Sequence, residues 1–570
     1  MGPGTADPLT TLTDPPERKE DDVLEGCVPW PEDLAARYRA AGHWRGEPLG
    51  ALLRAAARAH GPRTALVAGE TRLTYAELDE QADRVAAGLR RQGIRPGERV
   101  VLHLPNVPEL VVLCFALFRL GALPVFALPA HRRAEVEYLC RTGQAAAYVI
   151  PDVAGGFDHR ALAAQLRAEL PTLRTVVVVG DAGNTDGFVR YAELTEAEPT
   201  RLPDPDPTDV ALFLLSGGTT GVPKLIPRTH DDYWYNIRLS AANAGLDADT
   251  VYLAVLPVAH NYALACPGVL GTLSVGGRVV LCPNGSPDEA FPLIAAERVT
   301  VTGLVPPLGL IWADAAATRP ADLSSLRLVQ VGGSHVTPEA ARRMATALGC
   351  RLQQSFGMAE GLLSQSRLDD PDELLLTAQG KPLSPDDEIR IVDAEDQTVP
   401  DGETGELLVR GPYTFRGYYR APDHNARAFT ADGFFRTGDL ARQLPSGHLI
   451  ITGRRKDVIN RGGEKVSAEE VENHVLAHPA VAQAALVAMP DRLLGERSCL
   501  FVVPRGEAPR LGQLTAFLRE RGLAAYKLPD RLRVLDALPQ TAVGKVDKAR
   551  LREEAAQAAT PSARTVGARS

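Results

Sequence analysis

Cysteine is scarce in this sequence, and basic residues are outnumbered by acidic ones. Seven cysteines occur among 570 residues and none forms a C-x-x-C pair. We therefore expect free thiols in a reducing compartment rather than a disulfide framework or a zinc ribbon. The 62 Lys and Arg against 71 Asp and Glu give a formal charge of −9. That balance, together with the lack of an aromatic and basic cluster, disfavours a nucleic-acid partner or a polybasic membrane-binding role.

Long apolar segments are also missing. The first residues contain no basic stretch followed by an apolar run, so no signal peptide is expected. The longest apolar stretch, 107–130, is interrupted by Glu109, Arg119, Pro124 and Pro129, whereas a membrane-spanning helix needs about 20 mostly apolar residues. The stretch is typical of a buried helix that runs into a strand. We therefore expect a soluble, cytoplasmic protein with no membrane partner.

What the sequence does contain is an ordinary globular composition and an alternation of helix and strand patterns. Hydrophobic residues make up 45% and charged residues 23%, which is enough for a sizeable core. At roughly 100–200 residues per domain, the length predicts about three or four structural units. Helical patterns such as PLGALLRAAARAH and YAELDEQADRVAAGLRRQG alternate with β-branched runs: ERVVLHL, AAYVI, RTVVVVG, RVVLC and RLVQVG. This alternation predicts an α/β body of mainly parallel sheets with helices on both faces.

The pattern changes twice further along the chain. Between 388 and 450, EIRIVDAEDQTVPDGETGELLVRG and GHLIITGR read as strand, turn and strand, which predicts a β-rich subdomain. After Arg454 a shorter βαββαβ-like pattern predicts a small α+β domain. The predicted division is a disordered lead-in, an N-terminal core, a C-terminal lid domain and a disordered tail, at 1–26, 27–453, 454–553 and 554–570.

One glycine-rich string, LSGGTTGVPK, directly follows the apolar run VALFLL. Glycines let the backbone turn tightly and point its N–H groups inward, while hydroxyls and a lysine supply further donors for phosphate oxygens. No Gly-Lys-Ser/Thr closes the string, so it is not a Walker loop. A Gly/Ser/Thr run taken alone could equally be an exposed turn. The candidate phosphate-binding residues are Ser216, Gly217, Gly218, Thr219, Thr220, Gly221 and Lys224.

This string resembles the phosphate loop of the adenylate-forming superfamily, which includes acyl-CoA synthetases, peptide-synthetase adenylation domains and luciferases. Four more strings similar to that family follow in the family's order: QSFGMAE, TGD, GRRKD and PQTAVGK, at 354–360, 437–439, 453–457 and 539–545. The resemblance covers roughly 47–553. Ala359 stands where the family often has Thr. Stand-alone aryl-acid ligases share that Ala, so the resemblance is closest to the salicylate–AMP and 2,3-dihydroxybenzoate–AMP ligases.

The resemblance implies an enzyme that uses ATP and Mg²⁺. It assigns Mg²⁺ to Glu360, in keeping with a hard cation that takes one or two carboxylates besides substrate phosphates. Asp439 would accept the ribose hydroxyls, and Arg454 suits ribose or phosphate. Lys545 would neutralise charge on the attacking carboxylate and the departing pyrophosphate. The resemblance also assigns Gly333 and Ser355 to ATP binding and Lys456 to the hinge. His260 is assigned a catalytic role in addition to that of Lys545.

The implied reaction has two steps. A carboxylate attacks the α-phosphate of ATP to give an acyl-adenylate, and a thiol then attacks the activated carbonyl and releases AMP. In the family the small domain takes two orientations, pivoting at the position of Lys456. A mobile C-terminal domain is therefore expected.

The segment HNYALACPG, at 260–268, resembles the segment that lines the acid pocket of the aryl-acid ligases. The resemblance implies that Asn261 hydrogen-bonds the ortho-hydroxyl or the carboxylate of the acid and that Tyr262 packs on its ring. Gly332 is assigned to the same pocket. Domains that activate α-amino acids usually carry an Asp in place of Asn261, so α-amino acids are disfavoured.

Two more positions refine the identity of the acid. Cys266 stands where the dihydroxybenzoate enzymes typically have Ser, and Leu363 where they have Val. A thiol is a weak donor that behaves as a small hydrophobe. Burying an unpaired 3-hydroxyl beside it would cost about 1–3 kcal/mol. Salicylate is therefore the predicted acid, with 2,3-dihydroxybenzoate, a methylsalicylate and 3-hydroxypicolinate as alternatives.

The sequence does not decide which thiol accepts the acyl group. The favoured function is a salicylate–AMP ligase that loads the phosphopantetheine thiol of an aryl carrier protein in trans, in siderophore or antibiotic biosynthesis. The alternative is a salicylate–CoA ligase of aromatic catabolism, which shares the first step. A non-catalytic ATP-binding protein on the same fold is disfavoured because Lys545, Glu360 and Asp439 are all present.

Overall fold

The structure is a computed structural model that describes 24–183, 185–216, 224–319, 321–333, 336–461, 464–491, 494–521, 523–541 and 544–559. The side chain of Lys456 lies outside this description. Most of the predicted lead-in (1–23) and most of the predicted tail (560–570) also lie outside the described residues.

Two large sheets form the N-terminal body, as the alternation of helix and strand predicts. Within the described chain, sheet I runs in the order Leu225–Thr229, Val210–Leu215, Leu123–Phe126, Arg99–Leu102, Ala147–Pro151, Thr175–Val179 and Val189–Arg190. Its strands are parallel except for the pair at one edge, Val210–Leu215 and Leu225–Thr229. That antiparallel pair flanks the glycine-rich string.

Sheet II is the larger of the two. Its order in the described chain is Lys381–Pro382, Gly361–Gln365, Arg351–Met358, Leu328–Gly332, Val301–Leu304, Val251–Ala254, Arg278–Leu281, Thr64–Ala68 and Thr71–Thr74. The central strands are parallel, and the antiparallel pairs lie at the two ends. The short strands Val153–Ala154 and Phe157–Asp158 form a separate antiparallel pair.

Helices cover both sheets and share one core between them. The helix Pro108–Leu120 is buried at every position from 110 to 120, as expected for a helix that is apolar all round. It belongs to a cluster that reaches strands of sheet I and of sheet II. The other helices of the body are Glu32–Ala40, Leu49–His60, Tyr75–Arg91, Arg133–Thr142, His159–Glu169, Tyr191–Thr195, His230–Asn243, Asn261–Ala265, Gly268–Ser274, Pro287–Glu297, Pro306–Thr318, Pro338–Leu348, Asp372–Thr377 and Pro422–Ala428.

The C-terminal third is built from two smaller sheets. Sheet III is antiparallel and contains Glu388–Val392, Gly405–Arg410, Phe435–Gln443 and Leu449–Arg454. Sheet IV contains Glu464–Ser467, Val458–Arg461, Gly495–Pro504, Val481–Asp491 and Arg531–Val534. Helices Ala468–Leu476, Leu511–Glu520 and Lys548–Ala559 pack with sheet IV around cores of their own, and the 3₁₀ turns are Arg455–Asp457 and Ala525–Lys527.

The predicted fold class is confirmed: a large body with parallel sheets and a β-rich part, followed by a smaller α+β unit. The stretch 107–130 contains the helix Pro108–Leu120 and the strand Leu123–Phe126, as predicted. In the described part of the chain, no helix is both long enough and apolar enough to cross a membrane.

Two predicted boundaries differ from the structure. The helix Lys548–Ala559 continues past 553, because Leu551 and Ala555 are buried against sheet IV and hold it there. Part of the predicted tail is therefore ordered. At the other end, the backbone oxygen of Gly26, the last residue of the predicted lead-in, accepts a hydrogen bond from the N–H of Arg420. The division at 453 stays a prediction.

Candidate active site

The two ends of the glycine-rich string are held together. The N–H of Ser216 donates to the backbone oxygen of Lys224 at 2.9 Å, and the N–H of Lys224 donates to Ser216 Oγ at 2.9 Å. Five predicted phosphate ligands lie between these residues and outside the described residues: Gly217, Gly218, Thr219, Thr220 and Gly221. The described ends form a closed base from which a loop can present N–H groups to phosphate.

Tyr418 brings Lys224 and Glu360 together. The ammonium of Lys224 lies 5.5 Å from the centre of the Tyr418 ring, and the Tyr418 hydroxyl donates to Glu360 Oε1 at 2.8 Å. Glu360 is buried in the turn between Arg351–Met358 and Gly361–Gln365. Burial raises the pKa of Glu360, and the Tyr418 hydroxyl opposes that rise.

The candidate ribose-binding residues are paired across sheet III. Asp439 and Arg454 stand opposite each other in adjacent strands, and Arg454 Nε donates to Asp439 Oδ1 at 2.9 Å. Burial raises the pKa of Asp439, while the guanidinium of Arg454 opposes the rise. Ser355 lies on sheet II, where its Oγ accepts a hydrogen bond from Gln365 Nε2 at 3.0 Å.

Lys545 comes from the small unit and reaches the large one. A Cβ atom placed on Gly333 would lie 3.2 Å from Lys545 Cε and 3.8 Å from its Nζ. Burial lowers the pKa of Lys545 to about 8; Arg454 adds to the lowering, while Asp439 and Glu360 oppose it. The structure therefore brings Lys545 into the same charged site as Asp439 and Glu360 of the body and Arg454 at the boundary of the two units.

His260 lies beside this lysine and caps the helix Asn261–Ala265. Its Nδ1 accepts the N–H of Tyr262 at 3.2 Å, so we infer that the neutral ring carries its proton on Nε2. Burial and the nearby charge of Lys545 lower the pKa of His260 to about 3. The ring is therefore a neutral donor at physiological pH.

The candidate acid pocket is formed around Asn261. Its Oδ1 accepts a hydrogen bond from the Tyr233 hydroxyl at 2.7 Å, and its Nδ2 donates to Cys266 Sγ at 3.5 Å. Cys266 and Leu363 are both buried in one cluster, against which Tyr262 packs. Burial raises the pKa of the Cys266 thiol to about 12, so it stays protonated and behaves as a small apolar group.

Gly332 leaves room for Tyr262. A Cβ atom at Gly332 would lie 3.3 Å from Tyr262 Cζ and 2.6 Å from the backbone oxygen of Ser355. The second distance is too short for any side chain at that position. The structure therefore places Gly332 against the predicted pocket residue Tyr262.

The backbone of Lys456 lies in the 3₁₀ turn Arg455–Asp457. Arg455 Nη1 donates to Glu406 Oε2 of sheet III at 2.9 Å, and Asp457 pairs with Arg552 of the last helix. The predicted hinge thus lies between one residue tied to the body and one tied to the small unit.

Sequence reasoning missed four residues that support the site: Arg228, Tyr233, Tyr413 and Tyr418. Arg228 is fully buried and pairs with Asp232, four residues later. An Arg and an Asp at that spacing are the signal that could have drawn attention to it. The three tyrosines carry no local signal, since their partners are distant in sequence.

The metal-binding expectation can be tested on the donor set. Among the described residues, no group of three or more His, Cys, Asp or Glu side chains is arranged to hold a metal ion. Mg²⁺ commonly takes one or two protein carboxylates together with substrate phosphates. The buried carboxylate of Glu360, which is linked to Lys224 through Tyr418, therefore fits Mg²⁺ bound together with a nucleotide.

Comparison with known proteins identifies the family. The sequence matches the family described as "AMP-binding enzyme" over 53–419 and "AMP-binding enzyme C-terminal domain" over 470–545. The chain belongs to the AMP-binding enzyme family. Its members form acyl-adenylates and use ATP, which confirms the resemblance that the motifs predicted.

Three proteins show how similar this chain is to known members of the family. The 2,3-dihydroxybenzoate-AMP ligase of Bacillus subtilis (strain 168) is 57% identical over 531 residues, 93% of this chain and 98% of that protein. The salicyl-AMP ligase / salicyl-S-ArCP synthetase of Mycobacterium tuberculosis is 50% identical over 535 residues, 93% and 94% of the two chains. The apo structure of Mycobacterium smegmatis MbtA is 49% identical, with a TM-score of 0.73 over 93% of this chain and 99% of that one.

Proposed function

We propose that this AMP-binding enzyme activates an aryl carboxylic acid, preferentially salicylate, and transfers it to the phosphopantetheine thiol of a carrier protein supplied in trans. The observation that carries the proposal is the buried group of Asn261, Cys266 and Leu363. It offers one amide and two apolar surfaces. The reaction consumes ATP, so we place the protein in the cytoplasm.

The charged residues would serve the first step. An oxygen of the acid attacks the α-phosphorus of ATP, the bond to the bridging oxygen breaks, and pyrophosphate leaves. Lys545, whose ammonium lies near Asp439 and Glu360, would stabilise the negative charge that concentrates between the two anions. Lys224 would hold the departing phosphates, and Asp439 with Arg454 would hold the ribose. Glu360 would hold Mg²⁺, which supplies further positive charge to the phosphates.

The neutral residues would select the acid. The Tyr233 hydroxyl fixes the oxygen of the Asn261 amide, so the NH₂ group is the side that can donate to an ortho-hydroxyl or a carboxylate. The Cys266 thiol stays protonated and offers little to a 3-hydroxyl. The similar proteins are named for 2,3-dihydroxybenzoate and for salicylate, and Cys266 and Leu363 favour salicylate of the two.

The second step needs the small unit to turn. We propose that it rotates about Lys456, so that the predicted domain of 454–553, apart from Arg454 and Arg455 before the pivot, turns against the core of 27–453. The pair Arg455–Glu406 would stay with the core and the pair Asp457–Arg552 would move with the small domain. The acyl-adenylate would then meet the acceptor thiol. A carrier protein is favoured because one similar protein is named as a salicyl-S-ArCP synthetase.

Acid-dependent exchange of labelled pyrophosphate into ATP tests the first step. We expect salicylate to give the highest kcat/KM among salicylate, 2,3-dihydroxybenzoate, a methylsalicylate, 3-hydroxypicolinate and an α-amino acid control. Incubation of the purified enzyme with ATP, salicylate and either a phosphopantetheinylated aryl carrier protein or CoA then identifies the acceptor by mass spectrometry. Exchange with none of the aryl acids would overturn the proposal. If the thioester forms on CoA and not on the carrier protein, the acceptor is CoA.

A further inference from the structure

Arg228 lies in the strand Leu225–Thr229, which begins directly after Lys224. Its side chain is fully buried, and its Nε donates to Asp232 Oδ1 at 2.8 Å. The other carboxylate oxygen of Asp232 accepts the backbone N–H and the hydroxyl of Thr229, each at 3.0 Å. A buried ion pair is weak support for stability, because desolvation offsets most of its attraction. The pair therefore calls for a role other than stability.

The two remaining nitrogens of the guanidinium bind two other segments. Arg228 Nη1 donates to the backbone oxygen of Ala359 at 3.0 Å, and Nη2 donates to the backbone oxygen of Tyr413 at 3.1 Å. Ala359 directly precedes Glu360. The guanidinium thus joins the strand that follows Lys224 to the turn that carries Glu360.

The contacts continue from Arg228 to the acid pocket by two routes. The Tyr413 hydroxyl accepts the backbone N–H of Leu363 at 3.2 Å. The Arg228 guanidinium also lies 5.0 Å from the centre of the Tyr233 ring, and the Tyr233 hydroxyl donates to Asn261 at 2.7 Å. Asn261 and Leu363 of the candidate pocket are therefore each connected to Arg228 through one intervening tyrosine.

We propose that Arg228 is a positioning residue that fixes the phosphate-binding strand, the Glu360 turn and the acid pocket relative to one another. The inference rests on the proposed function, because it gives each of the three segments a substrate to bind. A planar guanidinium with donors on three sides can hold three segments at fixed angles, whereas the ammonium of lysine is a compact group on a flexible stem. Small displacements of reacting groups lower rates strongly. Arg228 would thus act on both substrates without touching either.

The test compares Arg228→Lys with Arg119→Lys. Arg119 is also fully buried and pairs with two carboxylates, Asp79 and Asp83, but both partners lie on the helix Tyr75–Arg91, which carries no candidate site residue. Both variants keep a buried positive charge and lose a guanidinium. Melting temperatures are measured first, and kinetics then well below the lower of the two. Tyr413→Phe is the third variant, since it removes the hydroxyl that meets Leu363 and keeps the backbone oxygen that meets Arg228.

We expect Arg228→Lys to raise the KM of ATP and of the acid, each by about fivefold or more, with a tenfold or greater loss of kcat. Arg119→Lys should stay within twofold of wild type in all three constants, even where its melting temperature falls equally. Tyr413→Phe should raise the KM of the acid and leave that of ATP within twofold. Kinetic constants of Arg228→Lys that match those of Arg119→Lys would overturn the proposal.

Two outcomes call for additional measurements: an Arg228→Lys variant that does not fold, and a wild-type enzyme that activates no aryl acid. If Arg228→Lys does not fold, Tyr233→Phe and Tyr413→Phe replace it, and the proposal requires each to raise the KM of the acid. Unchanged constants in both would refute it. If the wild-type enzyme exchanges pyrophosphate with no aryl acid, the proposed function fails. Calorimetric affinity for ATP, at least fivefold weaker in Arg228→Lys than in Arg119→Lys, then supports the link between Lys224 and Glu360, and equal affinities overturn it.

Discussion

Lys545 occupies the space beside Gly333 at the junction of the two units: a Cβ atom at Gly333 would lie 3.2 Å from Lys545 Cε. Gly333 has a φ of +89°, a conformation that other residues rarely adopt. The glycine therefore provides both the turn at the end of its strand and the space that the lysine occupies. The contact places Lys545 of the small unit against the end of a strand of the body.

Replacing Lys545 by Ala should abolish acyl-adenylate formation and leave the fold nearly unchanged. In the proposed reaction Lys545 stabilises substrate charge mainly in the transition state, and one preorganised electrostatic contact is worth roughly 10²–10³ in rate. We expect salicylate-dependent pyrophosphate exchange to fall by at least that factor, with ATP affinity by calorimetry within a fewfold of wild type. Lys527→Ala is the matched control, because Lys527 is paired with Glu470 on the same small unit. Exchange within tenfold of wild type in Lys545→Ala would refute the role.

The pKa of Lys545 predicts how the reaction depends on pH. Burial lowers this pKa from 10.5 to about 8, and the protonated form is the active one. The kcat/KM for ATP should therefore fall about tenfold per pH unit above about 8, since that ratio follows the free enzyme. Bound phosphate favours the protonated amine, so kcat should hold to higher pH. Lys545→Arg should lack this alkaline limb, because the guanidinium does not titrate; the same limb in that variant would assign it to another group.

The same shift has a consequence for stability with a definite sign. Between about 8 and 10.5 the folded enzyme binds fewer protons at Lys545 than the unfolded chain does. The contribution of this residue to the free energy of unfolding therefore increases as pH rises through that window. The melting temperature of wild type minus that of Lys545→Ala should therefore increase as pH rises above 8.

Most of the fold could be predicted because its strands and helices have regular apolar patterns. The strands Ala147–Pro151 and Thr175–Val179 are buried along almost their whole length, and their short runs without alternating polar residues predict strands buried on both faces. The contacts of Gly26 with Arg420 and of Leu551 with sheet IV could not be predicted, since they depend on distant residues. Local composition carries no trace of such contacts.

The candidate site, like the fold, contains residues that the sequence could predict and residues that it could not. Asp439, Arg454 and Lys545 stand in short strings with a recognisable order, and the structure brings them together. Arg228 binds Ala359, 131 residues away, and Tyr413, 185 residues away. Its carbonyl partners are backbone atoms, which every residue has. A pattern of residue types therefore could not predict the contacts of Arg228, although it did predict the site residues that these contacts would position.

Substitution of Asn261 should impair binding of the acid far more than binding of ATP. Asn261→Ala removes the donor to the acid and leaves the Tyr233 hydroxyl without its acceptor. Asn261→Asp keeps that acceptor but places a charge opposite an anionic substrate, so it should raise the KM of the acid most. The KM of ATP serves as the internal control and should change less than twofold. A wild-type KM for the acid in both variants would place Asn261 outside the pocket.

Cys266 and Leu363 should together decide between salicylate and 2,3-dihydroxybenzoate. The thiol is a weak donor, so a 3-hydroxyl buried beside it stays unpaired at a cost of about 1–3 kcal/mol. Wild type should therefore prefer salicylate by about tenfold or more in kcat/KM. Cys266→Ser should narrow the gap by pairing with the 3-hydroxyl, and Leu363→Val should narrow it by making room.

The two substitutions should not act independently, because both side chains are buried in one cluster and neighbouring changes in a shared volume couple. The hydroxyl of Cys266→Ser can meet a 3-hydroxyl only where the ring can approach it, and Leu363→Val controls that approach. The double variant should therefore shift the preference towards 2,3-dihydroxybenzoate by more than the product of the single shifts. The measurement is kcat/KM for both acids in the four proteins of the cycle, with Cys282→Ser as a control thiol that lies in a different cluster. A preference ratio that stays constant across the four proteins would show that Cys266 is a structural thiol and would leave salicylate without its support.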